Sequence, residues 1–376
     1  MELRIEDIAF GGKGVAREGG KAIFIPYTID GERVLAHVVR EKKHFAEAEL
    51  DEVLDPSPHR VTPECPYFAR CGGCAYQHMS YEHQLEIKTR QVEQTLKRIG
   101  RLDVVPMRPM VASPKAYGYR NRITVHCEDG AIGFYRRDEH RLIDIERCPI
   151  AMPEVNAELK RLRAHHPREG HFTLRAHSGP RIFSQTNDAV AERLLEHVTD
   201  SVPEGGVLLI DAYCGAGFFA KHLLQKFESV VGLDWDVHAI TAARENASDK
   251  EIYIAGDVDL ELGHVLTQRG VVAAVSAAGR AIAGDTPATT LIVDPPTTGL
   301  TNTARRAIID LAPDIFIYIS CNPATLARDL AELHKCFTIE SVTPFDMFPQ
   351  TAEIEVAVKL EAREIEHLAA PTTSQL

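Results

Sequence analysis

The residues able to do chemistry in this sequence are a scatter of thiols and a series of carboxylates that close apolar runs. Cys321 stands in Ser320-Cys321-Asn322-Pro323-Ala324-Thr325-Leu326, just ahead of a predicted helix. A helix N-terminus stabilises thiolate, so this position is expected to depress the Cys321 pKa and suit it to covalent catalysis. An inert cysteine at a strand end fits the same context. A second group, Cys65-x5-Cys71-x2-Cys74 with the remote Cys148, can bind zinc or an iron–sulfur cluster. Zinc ribbons usually bring two close pairs, so three clustered cysteines and one distant one lean the spacing toward a 4Fe–4S site.

The carboxylates carry a pattern of their own. Asp211 ends one apolar run, Asp234 ends the next, Asp257 follows a third, Asp294 ends a fourth and Cys321 follows a fifth. Ligands of open α/β sheets bind outside the carboxyl ends of the strands, so these five side chains are expected to converge on one crevice. Helix capping accounts for one or two of them, not for the set. Asp211-Ala212-Tyr213-Cys214-Gly215-Ala216-Gly217 supplies a glycine turn through which the backbone can approach a ligand. It lacks a P-loop lysine, and Asp234 one strand later suits a ribose diol; S-adenosylmethionine and a dinucleotide both fit. Cys214 reads as a packed small hydrophobe. Asp294-Pro295-Pro296-Thr297-Thr298-Gly299 places a rigid turn after a buried strand, and alternation puts Glu353 and Glu355 on one face of another strand, as a base or as a solvated edge.

The elements that must hold these groups follow from the apolar periodicities. Val207–Ile210, Val230–Leu233, Ile252–Ile254, Leu291–Val293 and Ile315–Ile319 are short apolar runs separated by helical patterns, which predicts a parallel sheet covered on both faces. Phe337–Val342 and Ile354–Leu360 have no helix between them and predict an antiparallel hairpin at one edge. Glycine-punctuated strands before residue 55 predict a small barrel, and Asp55-Pro56-Ser57-Pro58 its exit. Ser80 caps a predicted helix over Tyr81–Ile99, with Leu85, Val92, Leu96 and Ile99 as its apolar stripe. Arg122–His126 and Ala131–Tyr135 read as strands, Gly263–Thr289 as a helix with a connection, and Ala369–Leu376 as a frayed tail.

Composition bounds the function. Of 376 residues 44% are hydrophobic and 26% charged, which excludes wholesale disorder. No apolar run approaches the roughly 20 residues of a membrane span, and no secretion signal opens the chain. A cytoplasmic protein with reduced cysteines is expected. The net charge of −12 argues against a nucleic-acid partner, yet it divides into −2 over residues 1–100, +5 over 101–185 and −15 over 186–376. The basic middle can hold a polyanion while the rest keeps the chain soluble.

Taken together, Cys65-Pro66-Tyr67-Phe68-Ala69-Arg70-Cys71-Gly72-Gly73-Cys74, the segment from Gly133-Phe134-Tyr135-Arg136-Arg137 to Arg147-Cys148-Pro149-Ile150, Asp294-Pro295-Pro296, the Cys321 motif and Phe348-Pro349-Gln350-Thr351 resemble the RNA (uracil-5-)-methyltransferases of tRNA and rRNA, over nearly the whole chain. The resemblance implies an α/β protein whose C-terminal part is a doubly wound, class I (Rossmann-like) methyltransferase. An OB-type TRAM barrel (1–57) and a small α+β middle domain with a 4Fe–4S cluster (58–185) would precede it, the catalytic domain would run over 186–366, and 367–376 would be a tail. It also implies S-adenosylmethionine as cofactor, RNA as partner with no obligate protein partner, Cys321 as nucleophile and Glu355 as base. Gln185, Tyr213, Gly215, Gly217, Asp234, Asp257 and Asp294 would line the cofactor site, and Cys65, Cys71, Cys74 and Cys148 would hold the cluster.

RNA would be gripped by Tyr117, Tyr119, Arg120, Arg122, Phe134, Tyr135, Arg136 and Arg137, whose rings each suit a core equally well. Two positions depart from the family. Many members have arginine at Thr297 and histidine at Glu353, so two glutamates compete for the role of base, with Glu355 at the family position. The readings that compete with this one are a methyltransferase acting on another base atom and a non-catalytic iron–sulfur protein that binds RNA or senses redox state.

Overall fold

The structure, a computed structural model, describes residues 1–137, 141–165, 167–177, 185–265 and 289–363. Most of the expected Gly263–Thr289 helix and connection, and the 369–376 tail, lie outside the described residues. Among the described residues three sheets are formed, the first two each on one apolar cluster and the third with a cluster on either face.

The first is the expected barrel: β1 (Glu2–Arg4), β2 (Asp7–Ile8), β3 (Lys13–Glu18), β4 (Lys21–Pro26), β5 (Arg33–Glu41) and β6 (Phe45–Asp55), in the order β1-β5-β6-β4-β3-β2. The chain passes directly from β1, at one edge, to β2, at the other. Ile5 and Glu6 donate to Glu32 O and Val15 O across the gap, both at 2.8 Å, and close the sheet on itself. Next comes α1 (Tyr81–Arg98), capped by the Ser80 hydroxyl as the sequence predicts. Its buried face shares Val92 and Leu96 with the expected stripe but not Leu85 and Ile99. Ile99 is exposed and Leu85 only half-buried, whereas Gln84, Lys88, Gln91, Val92, Thr95 and Leu96 are buried, because the helix is wedged between the barrel and the large sheet. Ile87 packs in the barrel core and Val92 and Leu96 in the catalytic core.

The second sheet comprises β7 (Arg122–Glu128), β8 (Ala131–Tyr135), β9 (Leu142–Asp144) and β10 (Gly170–Arg175), all antiparallel in the order β10-β7-β8-β9 and backed by α2 (Pro153–Ala164). The third follows α3 (Asp188–Ser201). Its elements are β11 (Gly206–Ala212), α4 (Phe218–Leu223), β12 (Phe227–Asp234), α5 (Val237–Arg244), β13 (Glu251–Ala255), α6 (Val258–Val265), β14 (Thr289–Val293), α7 (Asn302–Leu311), β15 (Ile315–Ser320), α8 (Pro323–Leu333), β16 (Phe337–Phe345) and β17 (Glu355–Ala362). The five apolar runs form β11–β15, which are parallel, and alternate residues enter opposite cores: Phe316 and Tyr318 on one face, Ile315, Ile317 and Ile319 on the other.

The strand order β13-β12-β11-β14-β15-β17-β16 places the expected antiparallel hairpin at one edge, with β16 outermost. β17 is not an edge strand; it is inserted antiparallel between β15 and β16, which buries most of its length. The strand also begins at Glu355, so Glu353 lies ahead of it and is exposed.

The sheet and α1 are joined by an ion pair with no access to water: Lys88 Nζ lies 2.6 Å from Asp346 Oδ1, both side chains 0% exposed. Breaking one partner of such a pair costs about 3–5 kcal/mol, because the other charge is stranded. Lys88→Met is therefore expected to lower the urea midpoint followed by far-UV circular dichroism, and adding Asp346→Leu to restore most of it. A single variant as stable as the parent would contradict this role.

Candidate active site

The turn from β11 into α4 builds the first wall. Tyr213, Gly215 and Gly217 take φ of +64°, +56° and +84°. A Cβ on Gly217 would stand 2.9 Å from the Tyr253 hydroxyl, so glycine is required there for space as well as for backbone. The turn is pinned by Asp234, whose Oδ2 accepts from Gly215 N and Oδ1 from Asp236 N, each at 2.8 Å. Asp211 lies beneath it. Its Oδ2 accepts from Ala220 N at 2.9 Å and it is 0% exposed, so it supports the crevice from below and does not line it as expected. Burial, then the charges of Asp294 and Asp234, push Asp211 up to about 7. Cys214 is packed in the core, as expected of a small hydrophobe.

The opposite wall comes from Gln185, which donates to Asp294 Oδ2 at 3.3 Å and is itself held through its carbonyl by the Asn121 amide at 2.8 Å. Between the walls lies a cavity of about 430 Å³ lined by Gln185, Tyr213, Gly215, Gly217, Phe218 and Asp294 among others. Asp259 ties its rim, accepting from the Tyr213 hydroxyl at 2.9 Å and from Thr301 at 2.6 Å. Asp257 is exposed and its Oδ1 accepts from Asp259 N at 3.0 Å, a helix-capping bond.

Asp294 after β14, Cys321 after β15 and Glu355 at the start of β17 form the reactive end. Glu355 is 2% exposed and its Oε1 has no hydrogen-bond partner among the described residues. Burial, then the Asp294 charge, hold it well above the usual carboxylate range. Burial also pushes Asp294 up to about 7, with the Gln185 bond opposing. Cys321 corrects the sequence reading. Although it precedes α8, burial, then the charges of Glu355 and Asp294, push its thiol up to about 12. Desolvation beside two carboxylates outweighs the helix terminus, whose N-cap is Asn322. The loop carrying Thr297 is held by Asn322 and Thr325, both donating to Thr297 O, and by Asp329, which accepts from Leu300 N and the Tyr318 hydroxyl.

Cys65, Cys71, Cys74 and Cys148 line a second cavity, of about 570 Å³, with Arg120, Arg122, Arg147, Arg175 and Glu353 on its walls. Among the described residues no group of three or more His, Cys, Asp or Glu side chains is drawn tightly enough to hold a single metal ion. The four thiols nonetheless face a common space, and burial raises the pKa of each, with neighbouring thiols adding to the rise at Cys71, Cys74 and Cys148. Thiols are the donor set that an iron–sulfur cluster takes. Of the residues expected to grip RNA, Tyr119 is buried and donates to Pro349 O at 2.9 Å, and Arg137 donates to Gly11 O and Cys74 O. The sequence reading missed Gln84, Lys88 and Asp346; polar residues recurring on one helix face were the available signal.

The model of the tRNA (uracil-5-)-methyltransferase family matches residues 171–363, and the TRAM domain model matches 1–50. The chain belongs to the tRNA (uracil-5-)-methyltransferase family. It is 32% identical to an uncharacterised RNA methyltransferase of Bdellovibrio bacteriovorus, covering 96% of this chain and 94% of the relative. An uncharacterised RNA methyltransferase of Halalkalibacterium halodurans is 29% identical over 96% of this chain and 97% of its own. In fold it is similar to the tRNA (uracil-54, C5)-methyltransferase of Pyrococcus abyssi, solved with S-adenosyl-L-homocysteine, at TM-score 0.69 and 24% identity, covering 96% of this chain and 100% of that one. This RNA (uracil-5-)-methyltransferase thus pairs a TRAM barrel with a Rossmann-like sheet. No helix among its described residues is long and apolar enough to cross a membrane.

A thiol held near 12 is protonated throughout the physiological range. Iodoacetamide at neutral pH is expected to label exposed Cys336 while sparing Cys321, as read by peptide mass spectrometry. Faster labelling of Cys321 than of Cys336 would show a thiolate in the free enzyme and overturn this reading.

Proposed function

We propose that this enzyme, working in the cytoplasm, methylates carbon 5 of a uridine in structured rRNA or tRNA through a covalent adduct of Cys321 at carbon 6. The observation that carries the reading is the meeting of Cys321, Asp294 and Glu355 at the strand ends beside the glycine-turn cavity. Gln185, Tyr213, Gly215, Gly217, Asp234, Asp257 and Asp294 are the residues that would hold S-adenosylmethionine. When bound, that cofactor supplies a methyl group made electrophilic by its sulfonium.

The residues have distinct tasks. Uracil carbon 5 is a poor nucleophile, so Cys321 adds to carbon 6 and the carbon 5–carbon 6 pair becomes an enolate able to take the methyl. The thiol proton must leave as sulfur attacks, and in this reading Asp294, whose charge acts on the Cys321 thiol, is its acceptor. After transfer, Glu355 takes the carbon 5 proton, the double bond re-forms, and Cys321 departs as thiolate. Burial makes ionised Glu355 a strong base for a carboxylate, which suits abstraction from carbon. The base must leave its stack to reach this depth. The basic middle region, with Arg120, Arg122 and Arg175 along one cavity wall, supplies the charge that would hold the RNA backbone.

We further infer that Cys65, Cys71, Cys74 and Cys148 hold a 4Fe–4S cluster that clasps the cysteine loop to the segment before α2. The four thiols on one cavity support this.

Radiolabelled methyl from S-adenosylmethionine is expected to enter RNA at carbon 5 of uridine. RNA containing 5-fluorouridine is expected to form a covalent adduct that Cys321→Ala abolishes, whereas Glu355→Gln stalls after transfer and accumulates adduct with normal RNA. No incorporation, or an adduct that survives Cys321→Ala, would sink the mechanism. Anaerobically purified protein is expected to be brown with about four irons per chain. Colourless protein containing zinc would overturn the cluster assignment.

A further inference from the structure

The chain between β16 and β17 leads into Glu355, and its backbone is gripped from outside the sheet. Met347 O accepts from the Asn187 amide at 3.4 Å, Phe348 O from Lys88 Nζ at 3.0 Å and Pro349 O from the Tyr119 hydroxyl at 2.9 Å. Gln350 O accepts from both Ala75 N and Tyr76 N, at 2.9 and 3.0 Å. These donors all come from elements that precede the first strand of the catalytic sheet.

Gln350 is the node of this clamp. It takes φ +69°, a left-handed conformation that a side chain adopts only when its surroundings impose it. Gln84, 0% exposed in the first turn of α1, imposes it from both sides of its amide. Its Oε1 accepts from Gln350 N at 3.1 Å and its Nε2 donates to Gln350 Oε1 at 3.0 Å. The same Nε2 lies 3.2 Å from Tyr76 O and 3.0 Å from Met79 O, so the amide orientation is fixed by the end of the cysteine loop. Leucine fills similar volume but makes none of these bonds.

We propose that Gln84 is a positioning residue for Glu355: by locking Gln350 in its left-handed conformation it sets where the carboxylate of the base stands relative to Cys321 and Asp294. This rests on the methyltransferase reading above. The titratable and charged groups that face Glu355 are Asp294 from β14 and Cys321 from β15, with Glu353 on the adjoining chain and the Lys88–Asp346 pair behind the loop. None of them is altered when Gln84 is changed.

The test is steady-state methylation by full-length Gln84→Leu, Gln84→Glu and Gln350→Gly beside the parent enzyme, with S-adenosylmethionine affinity measured separately. Displacing a catalytic group by about 1 Å can cost about 100-fold in rate, so Gln84→Leu is expected to lose kcat on that scale while KM for RNA and cofactor affinity stay unchanged. Glu355, admitted to water, regains an ordinary carboxylate pKa, so the acid limb of the kcat profile moves to lower pH. Gln84→Glu keeps the acceptor for Gln350 N and loses the donor, and falls between. Glycine takes φ +69° without strain but takes other conformations as readily, so Gln350→Gly removes the side-chain bond and with it the lock on the turn, and is expected to move the acid limb the same way. An acid limb unmoved in the leucine and glycine variants, with kcat reduced only in proportion to the folded fraction, overturns the proposal. A parent enzyme that methylates no RNA rejects the reading beneath it instead.

Discussion

Glu355 is buried beside the half-buried Asp294 and Cys321, and the reactivity of all three follows from that desolvation. In water the two carboxylates would be charged and weakly basic, and the thiol would titrate several units lower. Here each charge is disfavoured by burial and by the others, so protons are retained until a substrate rearranges the balance. A nucleophile stored as its thiol is also protected from oxidation and stray alkylation, since thiolate is the reactive species. The same low-dielectric setting strengthens every interaction made once the crevice is filled.

Desolvation requires walls, and the catalytic sheet does not make them alone. Asp234 fixes one side of the glycine turn and Asn121 fixes Gln185 on the other. The floor depends on α1, a helix whose buried face is polar and which touches both the barrel and the sheet. The barrel is thereby tied through α1 to the sheet that carries the site. Cys74 precedes Ala75, whose amide holds Gln350, so one hydrogen bond and the short stretch from Gln350 to Glu355 connect the cysteine loop to the base.

The sheet was legible because each parallel strand is buried on both faces and so appears as an unbroken apolar run. The helix over residues 81–98 was legible from its cap and its following glycine. The polar part of its buried face was not, since Gln84 and Lys88 read as solvent-facing until the partners Gln350 and Asp346, more than 250 residues away in sequence, are brought against them. The position of β17 was hidden for a related reason: a hairpin predicts adjacency of β16 and β17 but not which of them meets β15. Cys321 was found by its motif, while its acidity was misjudged because the sign is set by burial, then by Glu355 and Asp294, which approach from other strands. Among the five strand-end groups, the alternation that marked Asp211 could not distinguish a carboxylate lining a crevice from one bonded underneath it.

One last feature is the segment after α1. Residues 106–111 run beside β16, with Arg108 N donating to Val342 O and Val111 N to Pro344 O, each at 2.8 Å, and Val342 N donating to Pro106 O at 3.0 Å. The outermost strand of the large sheet therefore offers little free hydrogen-bonding edge to another molecule. An open margin of that kind is a template for strand-by-strand aggregation, and here the protein seals it with its own chain.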